Sequence, residues 1–398
     1  MKLADLATPS FVADPYPVFE ALRAEGPLVP IGTDSMISGH YDIVDKVLHD
    51  RRMVHNFENS VRVRYGEEGA RQPVLRGFSR MFLLMNPPVH TRLRGLMMKA
   101  FNARQIETLR DIAQASAQRL IDRFESGGTA DIMSVYAKQF PIEIICRMLN
   151  VPVEHAEKLG RAIAHVAKML DTAPVDAAQL ATSNDAYLTL ERYFSEVVEA
   201  RREQTGTDLI SMLLTVEENG DTLTHDEIVA NVILLYLGGH ETTSNMIGNA
   251  LIALQRHPQQ FDALKQDMTK LPNAILECLR YDGSAQASGR TASEDMEIAG
   301  IAVPKNTIVY LSLGAANRDP AKFDRPDQLD IDRELTRVIT FGGGVHHCLG
   351  YRLAMLELET ALGVLLTRLP RLTLSGLDNL QWNGRSSLRG VESLTAHW

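Results

Sequence analysis

A chain of 398 residues with 45% hydrophobic content can bury a large core and is ordinary for a globular protein. Its formal net charge of −9 argues against nucleic acid as a partner. The three cysteines, Cys146, Cys278 and Cys348, are odd in number and far apart, which argues against a disulfide framework and for a reducing, cytoplasmic setting.

The first residues, Met1-Lys2-Leu3-Ala4-Asp5-Leu6, lack the basic-then-apolar layout of a signal peptide. No run of some 18 apolar residues is free of charge, so no membrane-spanning helix is expected. Leu28–Ser38 reads as strand. In His90-Thr91-Arg92-Leu93-Arg94 a histidine and an arginine stand four apart on one helix face. From about residue 103 to 270 the pattern is almost continuously helical, broken by Ser126-Gly127-Gly128 and Thr205-Gly206-Thr207.

Thr224 and Glu227 form a capping box that opens an apolar helix, which runs to about Gln255 before His257-Pro258. Roughly 30 residues at 1.5 Å give ~45 Å, enough to cross a domain of this size through its core. Midway lies Leu237-Gly238-Gly239-His240-Glu241-Thr242-Thr243. Two glycines there cost about 1 kcal/mol each relative to alanine, and a buried carboxylate costs more unless paired or water-linked. Such features persist where function needs them. The plain alternative is a close helix crossing at the glycines with Glu241 on a polar face.

Glu277-Cys278-Leu279-Arg280 sets an acid and a base three apart, which on a surface is worth a few tenths of a kcal/mol. Met296–Ala299, the turn Pro304-Lys305-Asn306 and Thr307–Leu313 read as a sheet edge or hairpin. With no repeat or linker, and strands from distant segments that must pair, residues 1–398 read as one integrated domain. It is mainly α, with a small β portion from roughly 25–55 and 285–315.

The chain's most specific signal is Phe341-Gly342-Gly343-Gly344-Val345-His346-His347-Cys348-Leu349-Gly350. The pattern Phe-Gly-x-Gly-x-His-x-Cys-x-Gly would arise by chance roughly once in a million chains of this composition. The glycines allow a sharp turn and free successive amide N–H groups to point at a sulfur anion. An apolar helix with Leu358, Leu362, Leu365 and Leu369 on one face follows, so Cys348 stands at or just before a helix N-terminus, which stabilises a thiolate. A thiolate so held is a metal ligand, and as a haem ligand it favours O–O cleavage. A buried structural cysteine, or a non-haem site using His346 and Cys348, are the alternatives. No further Cys/His cluster completes a zinc set for the latter.

The motif resembles that of the cytochrome P450 family, in which the cysteine is the axial haem ligand. The resemblance implies a P450-like fold with the long helix over the haem, and heme b (iron protoporphyrin IX) bound through Cys348 in a turn begun by Phe341 and Gly342. Residues 238–243 match the family's oxygen groove, Ala/Gly-Gly-x-Asp/Glu-Thr-Thr/Ser. This gives Thr242 the hydroxyl beside the oxygen and Glu241 the proton relay. A peroxide-driven relative typically lacks that pair. His90, Arg94, Arg290 and His346 match the family's propionate partners. Glu277, Arg280 and Arg333 match its buried structural triad. The loop carrying Arg333 departs from the family's pattern only in Leu329, where phenylalanine is usual. Asn86-Pro87-Pro88-Val89-His90 and the proline-free Tyr281–Gly289 also depart, the second near the substrate.

As a family member without the N-terminal anchor of microsomal relatives, the chain is expected to be a soluble bacterial haem-thiolate monooxygenase. It would insert one oxygen atom of O2 into a C–H or C=C bond, with electrons from NAD(P)H through a ferredoxin reductase and a ferredoxin. The ferredoxin would dock on a patch of Arg92, Lys99, Arg104, His347 and Arg352. The substrate pocket is expected near residues 55–85, 160–190, 234–242, 283–289 and 386–390, with Phe57, Met81, Phe82, Met169, Leu234, Leu237 and Leu388. That mix suits a medium to large apolar molecule such as a polyketide, terpenoid or fatty-acid derivative. His165, Gln286 and Ser288 are candidates to orient a polar group on it. The competing class, a haem protein that binds or senses ligands without turnover, has no use for the Glu241-Thr242 pair.

Overall fold

The expected capping box forms. Thr224 N–H donates to Glu227 Oε2 at 2.8 Å and Glu227 N–H to Thr224 Oγ1 at 3.3 Å. The helix it opens spans His225–Arg256, 32 residues, and Pro258 at the head of the next helix ends it. The structure, a computed structural model, describes residues 5–398 apart from 7, 172, 173, 219, 336 and 386. The leader reading of residues 1–4, and positions 172, 173 and 386 of the expected pocket, fall outside the described residues.

The chain forms two compact units, neither continuous in sequence. The first comprises Met1–Val54, Ala113–Phe140 and Thr242–Trp398, the second His55–Ile112 and Pro141–Glu241. The long helix contributes its residues through Glu241 to the second unit and those from Thr242 to the first.

The strands are β1 (Val29–Gly32), β2 (Ser35–Ser38), β3 (Met53–Val54), β4 (Thr129–Asp131), β5 (Glu217–Glu218) and β6 (Asp221–Thr222). They continue with β7 (Ala287–Ala292), β8 (Met296–Ile298), β9 (Ile301–Val303), β10 (Ile308–Ser312), β11 (Thr373–Leu374) and β12 (Thr395–His397). Among the described residues the first unit holds a five-stranded sheet ordered β1-β2-β10-β7-β3. Here the structure corrects the expected sheet edge. β10 is the central strand, parallel to β2 and antiparallel to β7, while β8 pairs with β9. The alternation of Val309 and Leu311, both 0% exposed, suits a strand covered on one face, but the order of pairing depends on partners far along the chain. Val44, Val47 and Leu48 of the helix Tyr41–His49 pack with Ala292, Val309, Leu311 and Ile339 against that face.

Further small sheets, β11-β12-β4 and β5-β6, lie outside the two regions where strands were expected. In the first unit, the buried Tyr136 hydroxyl donates to Ala361 O at 2.8 Å, fastening 129–140 to the helix Tyr351–Arg368. In the second, Asn231 is wholly buried; its Oδ1 accepts from Phe82 N–H at 3.0 Å and its Nδ2 donates to Glu227 O. A Cβ at Gly77 would stand 1.9 Å from Tyr187 Cζ, so the ring of the helix Ala177–Glu203 needs that glycine. Among the described residues no helix is long and apolar enough to cross a membrane.

Candidate active site

The cysteine turn folds on itself. Gly342 N–H donates to Ile339 O at 2.7 Å, His347 N–H to Gly344 O at 3.1 Å and Cys348 N–H to Phe341 O at 3.0 Å. Gly342 and Gly344 are left-handed, with φ of 68° and 62°, a region that costs any residue with a Cβ. Cys348 is in no disulfide and is exposed. It precedes the helix Tyr351–Arg368, whose N-cap is Gly350, so its sulfur lies ahead of a positive helix end. Phe341 packs edge-on against Tyr351 with ring centroids 4.8 Å apart, joining the turn's first residue to that helix.

Behind the turn stands the expected triad. Arg280 Nε and Nη2 donate to the two oxygens of Glu277 at 2.7 and 2.8 Å, and Arg333 Nε donates to Glu277 Oε1 at 3.2 Å. Glu277 and Arg280 are fully buried, and removing one partner from such a pair costs about 3–5 kcal/mol. The triad reaches the turn through Asn317, which opens the family-like loop Asn317-Arg318-Asp319-Pro320 but whose bonding role was not anticipated. Arg280 Nη1 donates to Asn317 O at 3.0 Å; Asn317 Oδ1 then accepts from Ile339 N–H at 2.9 Å and its Nδ2 donates to Thr340 Oγ1 at 2.8 Å. Thr340 Oγ1 donates in turn to Leu279 O at 2.7 Å. The residues just ahead of Phe341 are therefore fixed to the helix Leu271–Asp282.

On the long helix the two glycines divide the roles between them. A Cβ at Gly239 would stand 2.9 Å from Ile145 Cδ1, a close helix crossing, whereas one at Gly238 would meet nothing within 4 Å. The neighbouring threonines divide too. Thr243 is buried and its hydroxyl donates to Glu357, whose burial pushes its carboxyl well above the usual range. Glu241 and Thr242 are both half-buried. Glu357, on the helix after the cysteine turn, was not anticipated.

Of the four residues matched to the propionate set, Arg290 and His346 lie in the first unit and His90 and Arg94 in the second. Arg290 is 5% exposed, and its Nη1 donates to Gly289 O at 2.7 Å and Ser288 Oγ at 3.2 Å. Desolvation pulls its guanidinium down to about 10, still cationic at neutral pH. Among the described residues it faces no carboxylate. A buried cation without an acid is what a propionate would satisfy, and the exposed Cys348 thiol is what a haem iron would take, so the residues present fit that cofactor. His90 is 1% exposed; Arg94 and His346 are half-buried. The Asn86 departure has a local cause. Its Oδ1 accepts from His55 N–H at 2.9 Å and its Nδ2 donates to His55 O at 2.7 Å, and the second bond is one that the aspartate usual in the family at this position could not donate.

Two other expectations meet competing partners. Arg92 pairs with Asp221 at 3.2 Å and with Glu227, and Lys99 pairs with Glu218 at 3.7 Å, so two residues of the expected docking patch already have acidic partners within the chain. Gln286 is buried, its Nε2 donating to Gly283 O at 2.6 Å, in a structural rather than an open setting.

Comparison with known proteins agrees with this geometry. Residues 28–378 match the family model described as Cytochrome P450. The chain is 55% identical over 396 residues to "Putative cytochrome P450 133B2" of Xylella fastidiosa, covering 100% of this chain and 99% of that one. It is 34% identical to "Vitamin D(3) 25-hydroxylase" of Pseudonocardia autotrophica, covering 98% of this chain and 95% of that one. Among solved structures it resembles P450BioI in complex with hexadec-9Z-enoic acid ligated acyl carrier protein, with a TM-score of 0.91 and 32% identity over 98% of this chain and 100% of that one.

Proposed function

The chain belongs to the cytochrome P450 family of haem-iron oxidoreductases, and from that premise we propose that it inserts one oxygen atom of O2 into a C–H or C=C bond of a medium to large apolar molecule. The observation that carries the proposal is the Cys348 turn, an exposed cysteine outside any disulfide on a doubly left-handed glycine loop ahead of a helix N-terminus. Cys348 would hold the iron of iron protoporphyrin IX, in a turn that Phe341 and Gly342 shape. When bound, the cofactor supplies oxygen activation.

The remaining work belongs to the chain's own residues. The Cys348 sulfur stays anionic because the helix end and the turn amides favour its charge. Arg290, His90, Arg94 and His346 would hold the two propionates. Thr242 Oγ1 orders a water, and the Glu241 carboxyl passes it a proton from solvent. This division is favoured because the Thr243 hydroxyl is already given to Glu357. Gly238 leaves room for a bulky substrate beside the long helix. The buried side chains of Met81, Phe82, Met169, Leu234 and Leu237 supply an apolar lining. That lining suits a polyketide, terpenoid or fatty-acyl substrate, in keeping with the hydroxylase and acyl-bound relatives named above. Electrons arrive from NAD(P)H through a ferredoxin reductase and ferredoxin in the cytoplasm.

The test is to screen fatty acids, terpenoids and macrolides for a low- to high-spin shift of the ferric haem. The hits are then incubated with NADH and a surrogate ferredoxin system. Substrate-dependent NADH oxidation with a product heavier by one oxygen is expected. Spin-shifting ligands that are never oxidised, with an active redox system, would instead identify a ligand sensor.

A further inference from the structure

His49 closes the helix Tyr41–His49, and its ring lies against the glycines that open the cysteine turn. Gly344 N–H donates to His49 Nε2 at 3.1 Å. The other ring nitrogen, Nδ1, is 2.7 Å from Asp45 O and 3.4 Å from Asp45 Oδ1. A backbone N–H can only donate, so Nε2 must be the bare nitrogen, and Nδ1 carries the hydrogen and gives it to Asp45 O. The helix end is also a steric template. A Cβ at Gly344 would stand 2.1 Å from Leu48 O, and one at Gly343 would stand 3.0 Å from His49 Cε1 and 2.7 Å from Arg337 Nη2. The charged groups facing the ring are Asp45, from its own helix, and Arg337, from the segment ahead of the turn. Arg337 Nη2 pairs with Asp45 Oδ1 at 2.9 Å and lies 3.5 Å from His49 Nε2.

We propose that His49, in its Nδ1–H tautomer, is a positioning residue for the Cys348 ligand turn. By accepting the Gly344 N–H it holds Gly344 left-handed against Leu48, and from that conformation Cys348 N–H reaches Phe341 O. The loop that presents the thiolate is thus moulded on a helix some three hundred residues earlier in the chain, through a single imidazole acceptor. An imidazolium has no acceptor to offer, so acid should loosen the turn. This inference rests on the reading of Cys348 as haem ligand.

The experiment compares wild-type holoenzyme with His49→Leu, which keeps bulk without an acceptor, and His49→Gln, whose Oε1 can take the place of Nε2. Each is reduced, saturated with carbon monoxide and followed as the red-shifted thiolate band decays to the shorter-wavelength thiol band. His49→Leu should decay about fivefold faster, the loss of one ordinary hydrogen bond, and His49→Gln should stay near wild type. Equal rates for wild type and a natively folded His49→Leu at neutral pH would overturn the proposal. Should His49→Leu fail to fold, the pH profile decides. Wild-type decay should quicken with acid while His49→Gln does so less, and parallel profiles would overturn the role. A wild-type enzyme that never shows the thiolate band would instead overturn the haem-thiolate reading itself.

Discussion

Glu357 gives the fold a pH dependence of its own. Burial raises its carboxyl well above the usual carboxylate value of 4.5, only partly opposed by the Thr243 hydroxyl. The folded state therefore keeps a proton that the unfolded chain has lost. Stability contributed by this group is fully present below about pH 4.5 and falls as pH rises, by up to about 1.4 kcal/mol per pH unit until the folded group itself ionises. Glu357→Gln removes the titration. Its melting temperature should match wild type near pH 5 and exceed it near pH 8, and thermal melts showing the same pH slope for both would contradict this. Cys348, Glu277 and Arg280 were legible in the sequence because each sits in a short pattern whose spacing carries the chemistry. Glu357 and His49 were not, and Asn317 was visible only as part of a family-like loop, without its role. Their roles come from what the fold brings beside them, and a lone acid, amide or imidazole has no local signature.

At the scale of elements, the long helix was foreseeable from end to end, since its capping box, apolar run and terminal His-Pro are all local signals. Its adjacent glycines were legible as a feature but not as two different ones. Which glycine faces a neighbour depends on Ile145 of another helix. The distinction predicts opposite outcomes for identical substitutions. Gly239→Ala must push Ile145 aside and should lower stability by about 1–3 kcal/mol. Gly238→Ala meets no atom and should gain up to about 1 kcal/mol from helix propensity, while weakening the spin shift given by the bulkiest substrates. Denaturant unfolding together with substrate titrations separates the two, and equal destabilisation by both would contradict the assignment. The sheet was less legible than the helix. The strand Ile308–Ser312 could be seen, but its central place depends on β2, whose residues are more than 250 positions earlier.

At the scale of the whole molecule, the chain interleaves two units so that the proposed thiolate and Arg290 belong to one, and His90 and Arg94 to the other. The mainly α character followed from helical periodicity, and the P450-like architecture from the resemblance of the cysteine turn. The interleaving did not, because it is set by long-range packing that no window of sequence contains. What joins the account together is the claim that Cys348 ligates a haem iron as a thiolate. The most direct measurement is the carbon monoxide difference spectrum of the reduced, haem-loaded protein, recorded beside that of Cys348→His. The account predicts the red-shifted thiolate band for the wild type and its loss in the variant. A wild-type band at the position of nitrogen or thiol ligation, or one unaffected by the substitution, would contradict it.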